Sequence, residues 1–200
     1  MFRYVRLTLL AICLTVAGLS SSHAASPREQ IETLNATLLD VMQNADSLGY
    51  SGRYEKLQPV MTRLYDFELM SRIAAGAYWK KFDDAKKAQL TDAFSRMSVA
   101  TYAARFDGYS GETFEIVSSK NSVRGTVLVK TRLIKSDGTP VALNYLTKPR
   151  DGEWRIIDVF LDARFSELAR LRADYNAVIR RQGFDKLIAT IEAKIAGMQQ

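Results

Sequence analysis

The chain of 200 residues is 47% hydrophobic and 25% charged, a balance typical of one ordinary globular domain with enough apolar residues to bury a core. This composition excludes a disordered chain and a collagen, and a single cysteine excludes a disulfide scaffold. The formal net charge is +6 at pH 7, and the sole cysteine, Cys13, and the sole histidine, His23, lie within residues 1–24.

Residues 1–24 have the pattern of a secretory signal peptide. Arg3 and Arg6 precede an uncharged apolar run of 13 residues, 7–19, which is shorter than the ~20 residues that a transmembrane helix needs. Ser22 and Ala24 are the small residues expected just before a cleavage site. We therefore predict a signal peptide over 1–24 and an exported, single mature domain over 25–200.

The predicted mature chain lacks the residues that most enzymes use. Loss of the signal peptide removes Arg3 and Arg6 but no acid, so the net charge falls from +6 to +4. With neither cysteine nor histidine left, the mature chain has no thiolate nucleophile, imidazole base, Ser-His-Asp triad or Cys/His zinc site. Carboxylate pairs remain as a device for acid–base catalysis.

Apolar residues recur every three or four positions in the first part of the mature chain, which predicts helices. Ser26-Pro27-Arg28-Glu29 is a capping box that starts the first helix at Pro27, with its end near Asp46. Further helices are predicted over 53–64, over 66–75 with Asp66 as N-cap, and from Asp83 or Asp84 onward. This fourth helix has a wide apolar face formed by Leu90, Phe94, Met97, Thr101 and Ala104.

From Glu112 to Ala163 the hydrophobic period falls to two, which predicts four consecutive strands. Asp137-Gly138 and Asp151-Gly152 are strong hairpin signals, so the strands are expected to form an antiparallel meander. Helical periodicity returns over 168–195. The predicted fold is one α+β domain, in which helices from both ends of the chain cover one face of a four-stranded curved antiparallel sheet.

Two pairs of acids are candidates for catalysis, Glu112 with Glu115 and Asp158 with Asp162. The two glutamates would point to opposite faces of a strand, and the two aspartates would lie roughly 13 Å apart along one. That separation is wider than the carboxylate spacing of glycosidases. We interpret these acids as solvated or ion-paired.

The remaining charged and aromatic residues leave the function open. The basic pairs 80–81, 86–87 and 180–181 are scattered among acids, which is typical of solvated faces and predicts no nucleic acid partner. Aromatic residues crowd the region where helices give way to strands, where they either fill an ordinary core or line a cavity for an apolar ligand. Periodicity alone does not separate these alternatives.

Several motifs extend over the whole mature chain. They are Tyr65-Asp66-Phe67-Glu68-Leu69-Met70, Gly76-Ala77-Tyr78-Trp79, Ala100-Thr101-Tyr102, Tyr109-Ser110-Gly111-Glu112 and Gly152-Glu153-Trp154-Arg155-Ile156-Ile157-Asp158-Val159. Together and in this order they resemble the MlaC (toluene-tolerance) family of periplasmic lipid carriers. Three more segments look most like the hopanoid-associated HpnM branch: Leu48-Gly49-Tyr50-Ser51-Gly52-Arg53-Tyr54, Arg105-Phe106-Asp107-Gly108-Tyr109 and Ser166-Glu167-Leu168-Ala169.

The resemblance implies an NTF2-like, MlaC-like fold with an apolar cavity between sheet and helices, in a periplasmic carrier with no catalytic residue, metal or cofactor. It implies lipid-binding roles for Tyr78, Trp79, Phe94, Met97, Tyr102, Phe106, Phe114, Val127, Val129, Leu143, Tyr145 and Val159. The implied ligand is a lipid, a hopanoid ahead of a phospholipid. The implied partners are an inner-membrane lipid transporter, either RND-type or ABC-type with a substrate-binding component, and an outer-membrane acceptor.

Two functions of other classes stay open beside a carrier. A carboxylate-only periplasmic hydrolase requires two acids that converge in a cleft. A ligand-free adaptor subunit of an envelope transporter would expose an apolar patch and contain no cavity.

Overall fold

The structure, a computed structural model, describes residues 25–162 and 164–199, and the predicted signal peptide lies outside this part of the chain. The helices are α1 (Pro27–Gln43), α2 (Ala45–Leu64), α3 (Phe67–Ala75), α4 (Asp84–Arg105), α5 (Glu167–Gln182) and α6 (Phe184–Met198). The strands are β1 (Thr113–Asn121), β2 (Val127–Ile134), β3 (Pro140–Arg150), β4 (Glu153–Leu161) and β5 (Phe165–Ser166). No helix within the described residues is both long enough and apolar enough to cross a membrane.

Three of the helices have side-chain N-caps at the residues that the sequence predicts. The Ser26 hydroxyl accepts a hydrogen bond from the Glu29 amide and the Glu29 carboxylate accepts one from the Ser26 amide, which confirms the capping box of α1. Asp66 caps α3 and Asp83 caps α4 through their carboxylates. Local hydrogen bonding of short polar side chains therefore fixes these boundaries.

Replacing Ser26 by alanine in the mature protein is expected to lower the free energy of unfolding by about 1 kcal/mol, because the Glu29 amide loses its side-chain acceptor. Urea denaturation followed by circular dichroism measures the change. Ser51 is an exposed serine inside α2, and Ser51→Ala is the control that should be neutral or slightly stabilising. Equal losses in the two variants would contradict a capping role.

The second helix differs from its prediction. It begins at Ala45 rather than Arg53, and it consists of two helical segments that meet at Gly49, whose backbone is not helical. Gly49 has φ 57° and ψ −175°, a conformation that glycine adopts without steric cost, and it changes the direction of the helix at that point. Gly49 is therefore the position of a kink between two helical segments.

The sheet is an antiparallel meander with strand order β1-β2-β3-β4-β5, which confirms the predicted α+β class and topology. On β2 the buried Val127, Val129 and Thr131 alternate with the exposed Lys130 and Arg132. Helix α1 packs on β1, β2 and β4, while α5 packs on β4 and β5. Helix α4 lies among α2, α3 and α6, so the core lies between the helices and one face of the sheet.

The sheet has five strands. The prediction of four strands was wrong because it missed the short strand β5. After Leu161 the chain turns back through Asp162, which has φ 50°, and the Arg164 amide donates to the Leu161 carbonyl. Phe165 and Ser166 then pair with Leu161 and Phe160 before α5 begins. A strand of two residues has no alternation that a sequence pattern can show.

Candidate functional site

An apolar cavity of about 750 Å³ lies between the helices and one end of the sheet. The sheet contributes the residues where β2 ends, β3 begins and β4 ends, including Leu133, Val141, Leu143, Val159 and Leu161. The helices contribute the second half of α4 and residues of α1, α3, α5 and α6, among them Met42, Met70, Phe94, Met97, Thr101, Tyr102, Ala104, Leu168, Leu171 and Met198. This volume falls in the range of small-molecule sites, and most of its wall offers no hydrogen bond.

Charged side chains also border the cavity. Arg105, Lys135 and Lys194 come from α4, the β2–β3 connection and α6, and all three are exposed. Arg170 is also at this border, where it binds the Glu167 carboxylate at 2.8 Å. Apolar walls with a charged border suit a ligand that has a hydrocarbon body and a polar end.

The α4 wall of the cavity is fixed by aromatic packing. Phe94 is fully buried, and its ring centroid lies 6.3 Å from that of Phe67 and 6.2 Å from that of Tyr175. The Tyr175 hydroxyl donates to the Met97 Sδ atom at 3.7 Å. Phe67 and Tyr175, which do not line the cavity, therefore support Phe94 and Met97 in its wall.

One polar pair lies within this apolar wall. The Tyr65 and Tyr102 hydroxyl oxygens are 2.8 Å apart and form a hydrogen bond. Burial raises the pKa of both phenols well above the ordinary value, so both stay protonated at neutral pH. Both phenols are neutral, and the hydrogen bond between them lowers the cost of placing two hydroxyls in an apolar wall.

Asp158 borders the cavity and connects β4 to the start of α5. Its Oδ1 atom accepts from the Leu168 amide at 3.1 Å and from the Val159 amide at 2.8 Å, and its Oδ2 atom accepts from the Ser166 hydroxyl at 2.6 Å. Burial raises the pKa of the Asp158 carboxyl, although these three hydrogen bonds act in the opposite direction. Asp158 is therefore a structural acid, and its interpretation as solvated or ion-paired was wrong.

Half of the residues given lipid-binding roles by the resemblance border this cavity. They are Phe94, Met97, Tyr102, Phe106, Leu143 and Val159. The others lie elsewhere: Tyr78, Trp79, Phe114, Val127, Val129 and Tyr145 do not line it. The structure therefore does not bring all twelve residues to one cavity.

The six residues outside the cavity have three kinds of location. Tyr78 and Trp79 lie in the short 3₁₀ helix Gly76–Lys81, where they are half-buried against the core near α3 and α5. Phe114 lies on β1 behind Phe106, with 6.3 Å between ring centroids. The other three, Val127, Val129 and Tyr145, are buried in the closed part of the sheet–helix interface, toward the other end of β2 from the cavity.

The cavity also contains residues that were assigned no binding role. Thr101 and Ala104 belong to the predicted apolar stripe of α4, and Leu133 and Val141 belong to the predicted alternation of the strands. The methionines at 42, 70 and 198 and the border charges carry no local signal that marks them. They meet at the cavity because of how the helices pack over the sheet.

The candidate catalytic pairs do not form a catalytic arrangement in the described residues. Asp158 and Asp162 both border the cavity, but both Asp158 oxygens accept hydrogen bonds from the protein and Asp162 is exposed. Glu112 accepts from the Ser110 amide at 2.6 Å, and Glu115 is exposed on β1. Over residues 25–162 and 164–199, no group of three or more histidine, cysteine or acidic side chains forms a candidate metal site.

The protein is thus an α+β domain whose sheet and helices enclose an apolar cavity with a charged border. Residues 32–193 match the MlaC protein family, and the chain belongs to that family. Proteins of the MlaC family are periplasmic. No curated protein matches the chain significantly.

A solved structure shares this fold. It is the phospholipid-binding protein from Ralstonia solanacearum, determined in complex with a phospholipid. The match has a TM-score of 0.77 at 18% sequence identity, and it covers 88% of this chain and 100% of that chain. At this identity the similarity establishes the fold, while membership in the HpnM branch stays a prediction.

Proposed function

We propose that residues 25–200, after removal of the signal peptide 1–24, form a non-enzymatic periplasmic lipid carrier. The observation that carries this proposal is the apolar cavity between sheet and helices, with charged side chains where it meets solvent. The apolar body of one lipid would lie against residues such as Phe94, Met97 and Leu143, and its polar end would remain at the border. Membership in the MlaC family and the fold shared with a phospholipid-binding protein support the same function.

The energetics of lipid transfer explain why such a cavity is useful. Each methylene group of a lipid costs about 0.8 kcal/mol when it is moved from hydrocarbon to water, so a whole lipid costs tens of kcal/mol. A carrier lowers this barrier when its cavity is about as favourable as the bilayer, because much tighter binding would prevent release. The direction of transfer then depends on docking to partners rather than on chemistry.

The composition of the cavity wall supports a carrier that adapts to its ligand. Four methionines line it, Met42, Met70, Met97 and Met198. Methionine is unbranched and flexible, so a wall rich in it fits ligands of different shape at low cost. This property accommodates either of the two ligands we propose, a hopanoid, as the HpnM-like motifs favour, or a phospholipid.

The proposed partners follow from this role. An inner-membrane lipid transporter, of RND type or of ABC type with a substrate-binding component, would exchange lipid with the carrier, and an outer-membrane acceptor would exchange it at the other membrane. The cavity favours a carrier over a ligand-free adaptor subunit, because an adaptor has no need for an apolar space of about 750 Å³.

Native mass spectrometry of the mature protein, purified from the periplasm of its own cells, tests the proposal. We expect one lipid per protein, and extraction of that lipid identifies it as a hopanoid or a phospholipid by mass. A protein that is lipid-free as purified, and that stays lipid-free after incubation with membranes, would contradict the carrier function and favour the adaptor.

A further inference from the structure

The face of the sheet that is turned away from the helices carries a cluster of basic side chains. Lys130 and Arg132 alternate with the buried residues of β2, so they point away from the core. Leu128 is on the same face as Lys130, two residues away on β2. Lys120 is the partner of Leu128 on β1, and Leu146 is its partner on β3, so both are on this face as well. Lys148 lies two residues beyond Leu146 on β3 and therefore also points outward. All four basic residues are exposed, and we call Lys120, Lys130, Arg132 and Lys148 the basic sheet face.

These four side chains have no acidic partner within 4 Å among the described residues. Other basic residues form ion pairs: Arg96 binds Glu192, and Arg170 binds Glu167. Glu115 is the one acid at the outward positions of β1, β2 and β3, and it lies opposite Arg132 in the register. These five groups carry a net charge of +3, whereas the whole of residues 25–200 carries +4. The outward surface of β1, β2 and β3 is therefore positively charged around these residues.

The surface between the basic side chains has both polar and apolar parts: Ser118 and Asn144 are the cross-strand partners of Lys130, while Leu128 and Leu146 form an apolar pair. Leu128 and Leu146 are cross-strand partners, and both are half-buried. None of the four basic residues lines the cavity described above, and neither do Leu128 and Leu146. Basic groups on flexible stems that are distributed over three strands fit a broad negative surface better than a single acidic side chain.

We propose that the basic sheet face adsorbs to the surface of bilayers that contain anionic phospholipids. Lipid phosphate groups neutralise the four basic side chains, and the half-buried leucines remain at the level of the headgroups rather than entering the hydrocarbon. Attraction of this kind strengthens binding about fivefold for each basic residue near the surface and decays over one Debye length, about 10 Å at 0.1 M salt. This inference goes beyond lipid carriage and does not depend on what the cavity holds.

Co-sedimentation of the mature protein with vesicles tests the proposal. We expect binding to vesicles of phosphatidylcholine mixed with phosphatidylglycerol, weak binding to pure phosphatidylcholine, and loss of binding near 1 M salt, where the Debye length is about 3 Å. No binding to the anionic vesicles would overturn the proposal and favour an acidic protein surface as the partner. Equal binding to both kinds of vesicle would also overturn it, because the attraction would not be electrostatic.

A charge-matched pair of variants separates this face from the general charge of the protein. Lys130→Gln with Arg132→Gln should weaken binding to the anionic vesicles about thirtyfold, and by tenfold at least. Arg180→Gln with Arg181→Gln removes the same two charges from exposed positions at the end of α5 and should weaken binding less than threefold. Circular dichroism verifies that each variant is folded. Similar losses in the two variants would show that net charge, not this face, controls adsorption.

Discussion

Ala104→Trp is expected to reduce the lipid recovered with the purified protein at least tenfold. Ala104 lies on the cavity wall in the last part of α4, beside Thr101 and Arg105, and it is half-buried. An indole ring at this position projects into space that the proposed lipid would occupy. Overpacking a filled core ordinarily lowers the free energy of unfolding by about 1–3 kcal/mol. This substitution adds volume to a cavity instead, so we expect a loss of stability at the low end of that range.

A control on the same helix shows whether bulk alone matters. Ala85 is exposed in the first turn of α4 and does not border the cavity, so Ala85→Trp should leave the lipid content unchanged. Native mass spectrometry gives the lipid-to-protein ratio of both variants, and thermal unfolding shows whether they are folded. If folded Ala104→Trp protein retains one lipid per chain, the lipid is bound somewhere other than this cavity.

Much of the fold follows from local signals in the sequence. The carboxylates of Asp66 and Asp83 accept hydrogen bonds from free amides at helix N-termini, a requirement that any helix has, so their positions mark helix starts reliably. Asp151 and Gly152 both have positive φ, which is the conformation that a tight turn between β3 and β4 needs. These features depend on a few neighbouring residues, and the sequence therefore predicts them.

The position of the cavity depends on distant parts of the chain and could not be predicted in the same way. Leu143 and Tyr145 lie on the same face of β3, two residues apart, but Leu143 borders the cavity and Tyr145 is completely enclosed. A period of two assigns both residues to the buried face and cannot tell them apart. What separates them is which end of the sheet the helices cover closely, and that depends on how helices such as α1 and α5, distant in the chain, pack on the strands.

Asp158 shows a second limit of sequence patterns. An aspartate in an apolar strand is ordinarily assigned to the exposed face, as its alternation with Ile157 and Val159 suggests. Its carboxylate instead holds the start of α5, ten residues further along the chain. The partner amide is supplied by a turn and a strand of two residues, neither of which has a sequence signature.

Asp158→Ala is expected to lower the free energy of unfolding by about 2–4 kcal/mol. The substitution removes the acceptor for the Leu168 amide, which is buried, and for the Ser166 hydroxyl, and an unpaired buried donor costs about 1–3 kcal/mol. Asp158→Asn is the matched variant, because an amide keeps an acceptor oxygen in place of Oδ1 and loses the charge. Its stability at neutral pH should stay within about 1 kcal/mol of the unchanged protein.

The pH dependence of stability distinguishes the charge of Asp158 from its hydrogen bonds. Because burial raises the pKa of this carboxyl in the folded protein, the folded state binds its proton more tightly than the unfolded state, where the pKa is about 3.9. This group therefore destabilises the fold progressively as the pH rises from about 4 through the raised pKa. Asp158→Asn lacks that loss, so its stability relative to the unchanged protein should improve over this interval. Urea denaturation at a series of pH values measures both curves, and parallel curves would mean that the carboxylate is no harder to ionise in the folded protein than in the unfolded chain.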